Sequence, residues 1–312
     1  MAKYRNDLPV LHDSLFITDG GLETTLVFHE GMELPEFAAF PLMDNAKGRT
    51  LLTAYFRQYL AIALQQCTGF ILDSPTWRAS AGWGKKLGYS DEALDKINRD
   101  SIQLLVELRD EYETGQSRVV ISGCIGPRGD GYATGEKMST DEAAAYHGTQ
   151  IDTFSRTQAD LVTAYTMNYT EEAIGITRAA NAAQIPVVIG FTVETDGRLP
   201  SGQRLGDAIN AVDDASRHAP AWYMINCAHP THFNEVLSAG ETWTDRIRAV
   251  RANASTKSHA ELDEATELDA GNPEELGKQF QELRSLLGNL NVLGGCCGTD
   301  HRHVAAIARQ CR

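Results

Sequence analysis

The chain has 312 residues, of which 42% are hydrophobic, enough for a sizeable core. A formal net charge of −14 argues against a protein that grips nucleic-acid phosphates or anionic membranes. The chain shows no apolar stretch near the roughly 20 residues of a membrane span and no signal-peptide core, and its six cysteines are too sparse for a disulfide scaffold. We therefore expect a cytoplasmic protein with small-molecule partners, neither nucleic acid nor membrane.

Short β-rich runs alternate with longer amphipathic segments along the whole chain. The predicted strands are 14–19, 69–73, 118–123, 160–165, 186–191, 221–226, 246–251 and 291–293. The predicted helices are 45–67, 90–113, 140–158, 170–184, 204–217, 231–238, 273–287 and 300–310. Ser90, Thr140 and Thr170 are the capping residues expected to begin three of these helices.

Strict alternation of strand and helix implies parallel pairing, and eight such units predict an α/β fold with a single (β/α)8 TIM barrel over residues 1–312. An open doubly wound sheet is the alternative. It normally carries a glycine-rich phosphate loop after its first strand, and Asp19-Gly20-Gly21-Leu22 does not match that fingerprint. Residues 252–272 are predicted to form a long acidic loop at the rim.

Three cysteines follow two of the predicted strands. Cys227 comes directly after the sixth strand, and the adjacent pair Cys296 and Cys297 follows the eighth. A lone cysteine often serves only as a small buried hydrophobe. Two neighbours on a regular strand point to opposite faces, so the glycines that flank the pair are expected to bend the backbone and bring both sulfurs together.

The carboxyl ends of barrel strands meet at one end of the barrel, where the active sites of such enzymes lie. All three cysteines belong to loops at that end. Three thiolates from two segments suit a tetrahedral Zn²⁺ site whose fourth position stays open to substrate. The sequence therefore favours Cys227, Cys296 and Cys297 as metal ligands and as the catalytic centre.

With these motifs the chain resembles the zinc-dependent homocysteine S-methyltransferases, which use betaine or S-methylmethionine as methyl donors. The resemblance runs from Asp19-Gly20-Gly21 through Gly123-Cys124-Ile125-Gly126-Pro127 and Asn226-Cys227 to Gly294-Gly295-Cys296-Cys297-Gly298-Thr299. It implies a TIM barrel, Zn²⁺ held by the three cysteines, and a turn at Asp19, Gly20 and Gly21 that holds the amino acid part of homocysteine. Thr76 and Trp77 are similar to the family's pocket-lining segment.

Two positions depart from the family pattern. Where the family usually has a glutamate at the end of the fourth strand, which helps to bind the substrate amino group, this chain has Tyr165. The first turn reads Glu23-Thr24-Thr25-Leu26 instead of Ala-Thr-Glu-Leu. Either the thiol acceptor differs from homocysteine, or Glu194, after the fifth strand, supplies the missing charge.

Other side chains are candidates for binding either substrate. The Asn226 amide is placed to hydrogen-bond substrate or sulfur, and closing a strand-end turn is an equally good account of it. A cationic donor suits an aromatic cage, for which Trp77, Trp83, Tyr132 and Tyr165 are candidates, although each is also a plausible packing residue.

The favoured function is methyl transfer from a cationic sulfonium or quaternary ammonium donor to a zinc-bound thiol, most simply homocysteine to give methionine. The alternatives are a methyltransferase for another thiol, a zinc-dependent hydrolase, and a non-catalytic zinc-binding relative. The sequence leaves the donor and the oligomeric state open, and a homo-oligomer is compatible with it.

Overall fold

The protein is described by a computed structural model that covers residues 1–12 and 14–312. Within those residues eight parallel strands close into a barrel in chain order. The strands are β1 (Phe16–Ile17), β2 (Gly69–Asp73), β3 (Val119–Ile125), β4 (Leu161–Met167), β5 (Val187–Phe191), β6 (Trp222–Asn226), β7 (Ile247–Ala252) and β8 (Val292–Gly295). The predicted (β/α)8 barrel is confirmed, and the open doubly wound sheet is excluded by the closure.

The barrel closes through its shortest strand. Phe16 of β1 is in register with Gly69 of β2 on one side and with Val292 of β8 on the other. The structure gives β1 only two residues where six were predicted, because the chain leaves the sheet after Ile17 and turns into the Asp19-Gly20-Gly21 segment. This segment therefore starts at the carboxyl end of the barrel.

Helices surround the barrel between successive strands. They are α1 (Leu22–Thr24), α2 (Ala46–Gln66), α3 (Ala81–Lys86), α4 (Asp91–Tyr112), α5 (Thr140–Ser155), α6 (Thr170–Ala182), α7 (Leu205–Ser216), α8 (Pro230–Leu237), α9 (His259–Asp263), α10 (Pro273–Leu286) and α11 (His301–Cys311). The eight predicted helices correspond to α2, α4 to α8, α10 and α11, with ends within a few residues.

Two of the three predicted capping residues are wrong. Ser90 does cap α4, where its hydroxyl accepts a hydrogen bond from the Ala93 amide. Thr140 is instead the first residue of α5, which Ser139 caps, and Thr170 is the first residue of α6. In each case the helical backbone begins one residue earlier than the pattern indicated.

Two apolar clusters build the core. The larger one packs the outer faces of the strands against the helices. The smaller one fills the barrel and combines strand residues such as Phe16, Leu161 and Trp222 with Leu8 and Val10 of the amino-terminal segment. That segment closes the amino-terminal end of the barrel, since the Asn291 side chain donates a hydrogen bond to the Val10 carbonyl just before β8.

Alternation along the strands decides what faces the other end. Every second residue of a barrel strand points inward. Ile71 on β2, Met224 on β6 and Ala249 on β7 belong to the interior cluster. The inward positions that follow these three, at the carboxyl ends of the strands, are Asp73, Asn226 and Arg251. The barrel interior is thus apolar toward the amino-terminal ends of the strands and polar at their carboxyl ends.

Part of the predicted acidic loop 252–272 is helical. It contains the short helix α9, which begins with a capping box between Ser258 and Glu261. Its first residue, His259, is buried against the carboxyl end of the barrel. Among the described residues, no helix combines the length and the apolar character that crossing a membrane requires.

Candidate metal and thiol-binding site

The three cysteines meet at the carboxyl end of the barrel, as their spacing predicted. The sulfur atoms of Cys227, Cys296 and Cys297 lie within 4.8 Å of one another. The structure joins Cys227 and Cys296 by a disulfide, while Cys297 has a free thiol. Burial raises the pKa of the Cys297 thiol to about 11.

The backbone at Cys227 is held in an unusual conformation. Its φ is 55°, a left-handed value that costs a residue with a Cβ of order 1–3 kcal/mol. Hydrogen bonds to the Cys227 carbonyl offset this cost. They come from several groups, among them the Asn253 amide at 3.0 Å and the His259 imidazole at 2.6 Å. These contacts from the segment after β7 turn the Cys227 side chain toward the other two cysteines.

The glycines beside the cysteine pair work differently from what the sequence indicated. Gly294 and Gly295 are required for close approach, because an added Cβ would overlap the hydroxyls of Thr18 and Thr299 respectively. Only Gly298, after the pair, has a left-handed φ, of 78°. The chain therefore bends after Cys297, and the glycines before the pair let β8 lie against the first strand-end turn.

Asn226 ties β6 to β4. Its side-chain oxygen accepts from the Thr166 amide at 3.0 Å, and its nitrogen donates to the Thr166 hydroxyl at 3.0 Å. Thr166 also has a left-handed φ, of 62°, next to a register shift in β4. Asn226 thus fixes the position of Tyr165 and Thr166 beside the cysteines.

A cavity opens beside the three cysteines. Besides them, the predicted site residues that line it are Asp19, Gly20, Gly21, Trp77, Tyr165 and Asn226. Thr76 lies outside the lining, because its buried hydroxyl donates to the Cys124 carbonyl at 2.8 Å. The structure thus gathers most of the predicted substrate-binding residues into one space.

Glu194 is not brought to the position of the missing glutamate. Its carboxylate lies 3.1 Å from the His259 imidazole and is about one-third exposed, outside the cavity lining. His259 lies between Glu194 and the Cys227 carbonyl. The expectation that Glu194 replaces the family glutamate therefore finds no support in this geometry.

Charged side chains that the sequence analysis did not single out face the cavity. Arg251 at the end of β7 lies 2.6 Å from Asp19 and 3.0 Å from Asp73 at the end of β2. The Tyr165 hydroxyl donates to Asp73 at 2.6 Å. The sequence carried a detectable signal for Asp73, the charged residue that ends an apolar strand pattern, whereas Arg251 ends a strand pattern that also contains Arg246 and Arg248.

Burial dominates the ionisation of these groups. It raises the pKa of Asp73 to about 6 against the opposing charge of Arg251, and it raises the pKa of Asp19 in the same way. Burial would lower the pKa of Arg251, but Asp19 leads the neighbours that raise it well above its usual range. Burial also raises the pKa of Glu23, another cavity-lining residue, to about 7.

Aromatic side chains cover part of the cavity. Tyr132 lies with its hydroxyl 3.6 Å from the Cys297 sulfur and its ring 4.3 Å from the His259 ring. Trp83 was a candidate for a donor cage and is outside the lining. Its indole donates to the Pro127 carbonyl, and the Arg78 guanidinium stacks 3.5 Å from its ring. Its cation-binding face is thus already used within the protein.

The three sulfurs fit a single metal ion. Zn–S bonds of about 2.3 Å place tetrahedral ligands roughly 4 Å apart. All three sulfurs lie within 4.8 Å of one another, and the bonded Cys227 and Cys296 sulfurs must move apart to reach that spacing. Cys227 and Cys296 become ligands only when their disulfide is reduced. An all-sulfur donor set selects a soft or borderline ion such as Zn²⁺.

The fold and the site together define a (β/α)8-barrel protein whose carboxyl-end cavity holds a cysteine cluster suited to a metal ion. The family model for homocysteine S-methyltransferase matches residues 16–311. The chain therefore belongs to the homocysteine S-methyltransferase family and is an S-methyltransferase.

Individual relatives are distant in sequence. Homocysteine S-methyltransferase 4 of Zea mays is 22% identical over 315 residues, covering 95% of this chain and 89% of the relative. The homocysteine methyltransferase MmuM of Escherichia coli in its oxidised form aligns with TM-score 0.79 and 17% identity, over 98% of this chain and 99% of that one. Its metallated form aligns with TM-score 0.73 and 15% identity, over 97% and 99%. These structural likenesses concern the fold.

Proposed function

We propose that this protein transfers a methyl group from a cationic sulfonium or quaternary ammonium donor to the sulfur of homocysteine, with Zn²⁺ held by Cys227, Cys296 and Cys297. The observation that supports this most is the convergence of three thiols on one cavity that also contains the Asp19-Gly20-Gly21 turn. Family membership supports the same reaction class.

Zn²⁺ bound by the three cysteines would act as a Lewis acid that lets the acceptor thiol lose its proton near neutral pH, below the usual thiol pKa of about 8.5. No histidine or carboxylate of this chain is then needed as a general base. The role of the cysteines is to hold the ion on one side of the cavity and leave the other side to the substrate.

The transfer is a displacement at the methyl carbon. The acceptor sulfur forms a bond to that carbon while the carbon's bond to the donor sulfur or nitrogen breaks. The electron pair of the broken bond leaves with the donor, which becomes a neutral thioether or tertiary amine. An anion and a cation thereby become two neutral groups, a change that a dry cavity favours.

The chain's own residues would orient the two substrates. By the family resemblance, the Asp19-Gly20-Gly21 turn, which lines the cavity, would hold the amino acid part of the acceptor, while the Gly21 amide itself donates to the Thr299 carbonyl at 3.1 Å. Among the candidate rings that line the cavity, Trp77 and Tyr165 already have a guanidinium over one face, Arg78 at 4.2 Å and Arg251 at 5.2 Å. Tyr132 is therefore the ring we propose for the cationic donor, a contact worth about 0.5–2 kcal/mol. Asn226 keeps Thr166 and Tyr165 at the cavity wall.

The experiment uses reduced protein loaded with zinc, because the Cys227–Cys296 disulfide would otherwise remove two ligands. Homocysteine is offered with S-methylmethionine, betaine or dimethylsulfoniopropionate, and methionine is measured by mass spectrometry. We expect turnover with at least one donor. Absence of methionine with all three donors would count against the proposal.

The Cys297→Ser variant tests the metal site itself. It should lose bound zinc and at least about 100-fold of the turnover together, since removing a ligand costs more than removing a residue that only supports one. Cys67→Ser is the matched control, because Cys67 is an exposed cysteine at the end of α2. Full activity in the zinc-free Cys297→Ser variant would contradict the site.

A further inference from the structure

A network of charges crosses the mouth of the barrel beneath the cysteines. Arg251 on β7 contacts Asp19 after β1 and Asp73 on β2, at 2.6 and 3.0 Å. All three side chains are more than nine-tenths buried. Buried charged groups are stable only when they are paired, and Arg251 forms ion pairs with both carboxylates.

The guanidinium of Arg251 is fully occupied by the protein. Its Nε donates to the Gly295 carbonyl at 2.9 Å, and its Nη2 donates to the Gly20 carbonyl at 3.0 Å. Its Nη1 donates to Asp73 and to the Tyr165 hydroxyl oxygen, each at 3.0 Å. Arg251 is therefore poorly placed to bind an anionic group of a substrate.

Asp73 is only half satisfied. Its Oδ2 accepts from the Tyr165 hydroxyl and from Arg251. Its buried Oδ1 has no hydrogen-bond partner among the described residues, although Asp73 lines the cavity. The nearby Ser122 and Thr163 hydroxyls lie 2.8 Å apart and either can be the donor, so Ser122 can donate to Asp73 only while Thr163 donates to Ser122. A buried carboxylate oxygen without a partner is costly, which points to a ligand that supplies the donor.

The charge balance identifies the kind of donor. When both carboxylates are ionised, Asp19 and Asp73 carry two negative charges against the single positive charge of Arg251, and the network then keeps one negative charge beside the cavity. One ammonium group would neutralise it and offers three N–H donors. A thiol without an amino group would leave both the charge and the Asp73 oxygen uncompensated.

We propose that Asp73 takes the place of the glutamate missing from β4 and binds the amino group of the acceptor, so that this enzyme selects an amino thiol over a simple mercaptan. Arg251 and Tyr165 are positioning residues that hold Asp73 through its other oxygen. This inference rests on the proposed function, since it concerns the acceptor of that reaction.

The test compares homocysteine with 4-mercaptobutanoate, which has the same thiol and carboxylate and lacks the amino group. The wild-type enzyme should prefer homocysteine in kcat/KM. In Asp73→Asn the preference should fall about 10–100-fold through the KM for homocysteine, the usual range for losing a charge-assisted hydrogen bond. The kcat/KM for 4-mercaptobutanoate should change little.

Two further variants distinguish binding of the amino group by Asp73 from a purely structural role of Asp73 at the barrel mouth. Asp196→Asn, which removes an exposed carboxylate, should leave the preference at the wild-type value. Tyr165→Glu added to Asp73→Asn returns a carboxylate to β4 and should restore the preference. An equal loss of kcat/KM for both thiols in Asp73→Asn, with zinc retained, would show that Asp73 only braces the barrel.

Asp19 and Glu23 are the competing carboxylates of the same cavity, and the buried Asp19 Oδ1 also has no hydrogen-bond partner among the described residues, although Arg251 lies 2.6 Å from it. Loss of the preference in Asp19→Asn and not in Asp73→Asn would assign the amino group to Asp19. Glu23→Gln should keep the preference for homocysteine, and losing the preference in that variant instead of in Asp73→Asn would overturn the assignment. If Asp73→Asn does not fold, Tyr165→Phe removes one donor to Asp73 and should lower the preference. An unchanged preference in that variant would also count against the assignment.

Failure of this inference can be told apart from failure of the proposed function. Wild-type enzyme that methylates both thiols equally well would refute amino-group recognition and leave methyl transfer intact. Wild-type enzyme that methylates neither thiol would refute the proposed function.

Discussion

At the scale of single residues, the distribution of carboxylates distinguishes this chain from the family pattern it resembles. Tyr165 occupies the place of a glutamate on β4, and Glu23 stands two positions before the place where the first turn usually has one. Asp73 and Glu23 both line the cavity. The cavity therefore contains acidic groups, but they lie on other strands and turns than in the family pattern.

Glu23 predicts a measurable pH dependence of stability. Burial raises its pKa from 4.5 to about 7 in the folded chain. A carboxyl with a raised pKa stabilises the fold while protonated, and that contribution is lost as the pH rises from about 4.5 through about 7. Above pH 7 the ionised, partly buried Glu23 should therefore destabilise the protein.

The variant Glu23→Gln removes this titration. Relative to wild type, its free energy of unfolding should rise by about 1–2 kcal/mol between pH 5 and pH 8. This rise is smaller than the full pKa shift of Glu23 implies, because the side chain is partly solvated. Thermal unfolding of reduced, metal-free protein at both pH values measures the difference. Parallel profiles for the two proteins would show that Glu23 ionises normally.

At the scale of elements, the segments between strands and helices carry the site. Cys227, Cys296 and Cys297 all follow strand ends, and helix α9 brings His259 to the Cys227 carbonyl. The helices themselves begin at hydrogen-bonded caps, such as Ser139 at α5, whose hydroxyl accepts from the Glu142 amide while Glu142 bonds back to the Ser139 amide. Such caps set where each connecting segment ends.

The capping box of α5 can be tested against its neighbour. Ser139→Ala should lower the free energy of unfolding by about 1 kcal/mol, because the Glu142 amide loses its acceptor and the Glu142 carboxylate loses the hydroxyl as a donor. Thr140→Ala, at the first helical position, should change it by less than about 0.5 kcal/mol. Urea unfolding measures both, and equal effects would mean that Ser139 does not cap the helix.

At the scale of the whole molecule, the two ends of the barrel have different roles, one in stability and the other in forming the site. The amino-terminal end is closed by Leu8 and Val10, which join the interior apolar cluster. The carboxyl end holds the polar network and the cysteines. The separation lets stability be altered at one end while the site at the other end keeps its geometry.

Leu8→Ala tests this division. Leu8 is 5% exposed, so the loss of its side chain should lower the free energy of unfolding by about 2–4 kcal/mol. Zinc stoichiometry in the reduced protein should stay unchanged. Leu11→Ala is the matched control, since Leu11 is 41% exposed. If both variants cost the same, the amino-terminal segment does not close the barrel.

The barrel and the cysteine cluster were predictable from the sequence for a shared physical reason. Strand and helix periodicities are local properties, and eight alternations leave few parallel topologies. In a parallel barrel every strand end reaches the same side. The position of Cys227 after β6 and of Cys296 and Cys297 after β8 therefore sufficed to bring them together.

The tertiary structure decided which other residues face the cavity. Asp73 and Arg251 are 178 residues apart in the chain, and their contact depends on the direction in which each strand end turns its side chain. Glu194 was predicted to lie near the substrate, yet His259 of the loop after β7 pairs with it outside the cavity. Local patterns encode strands and turns, whereas the pairing of buried charges depends on distances across the barrel that only the folded chain sets.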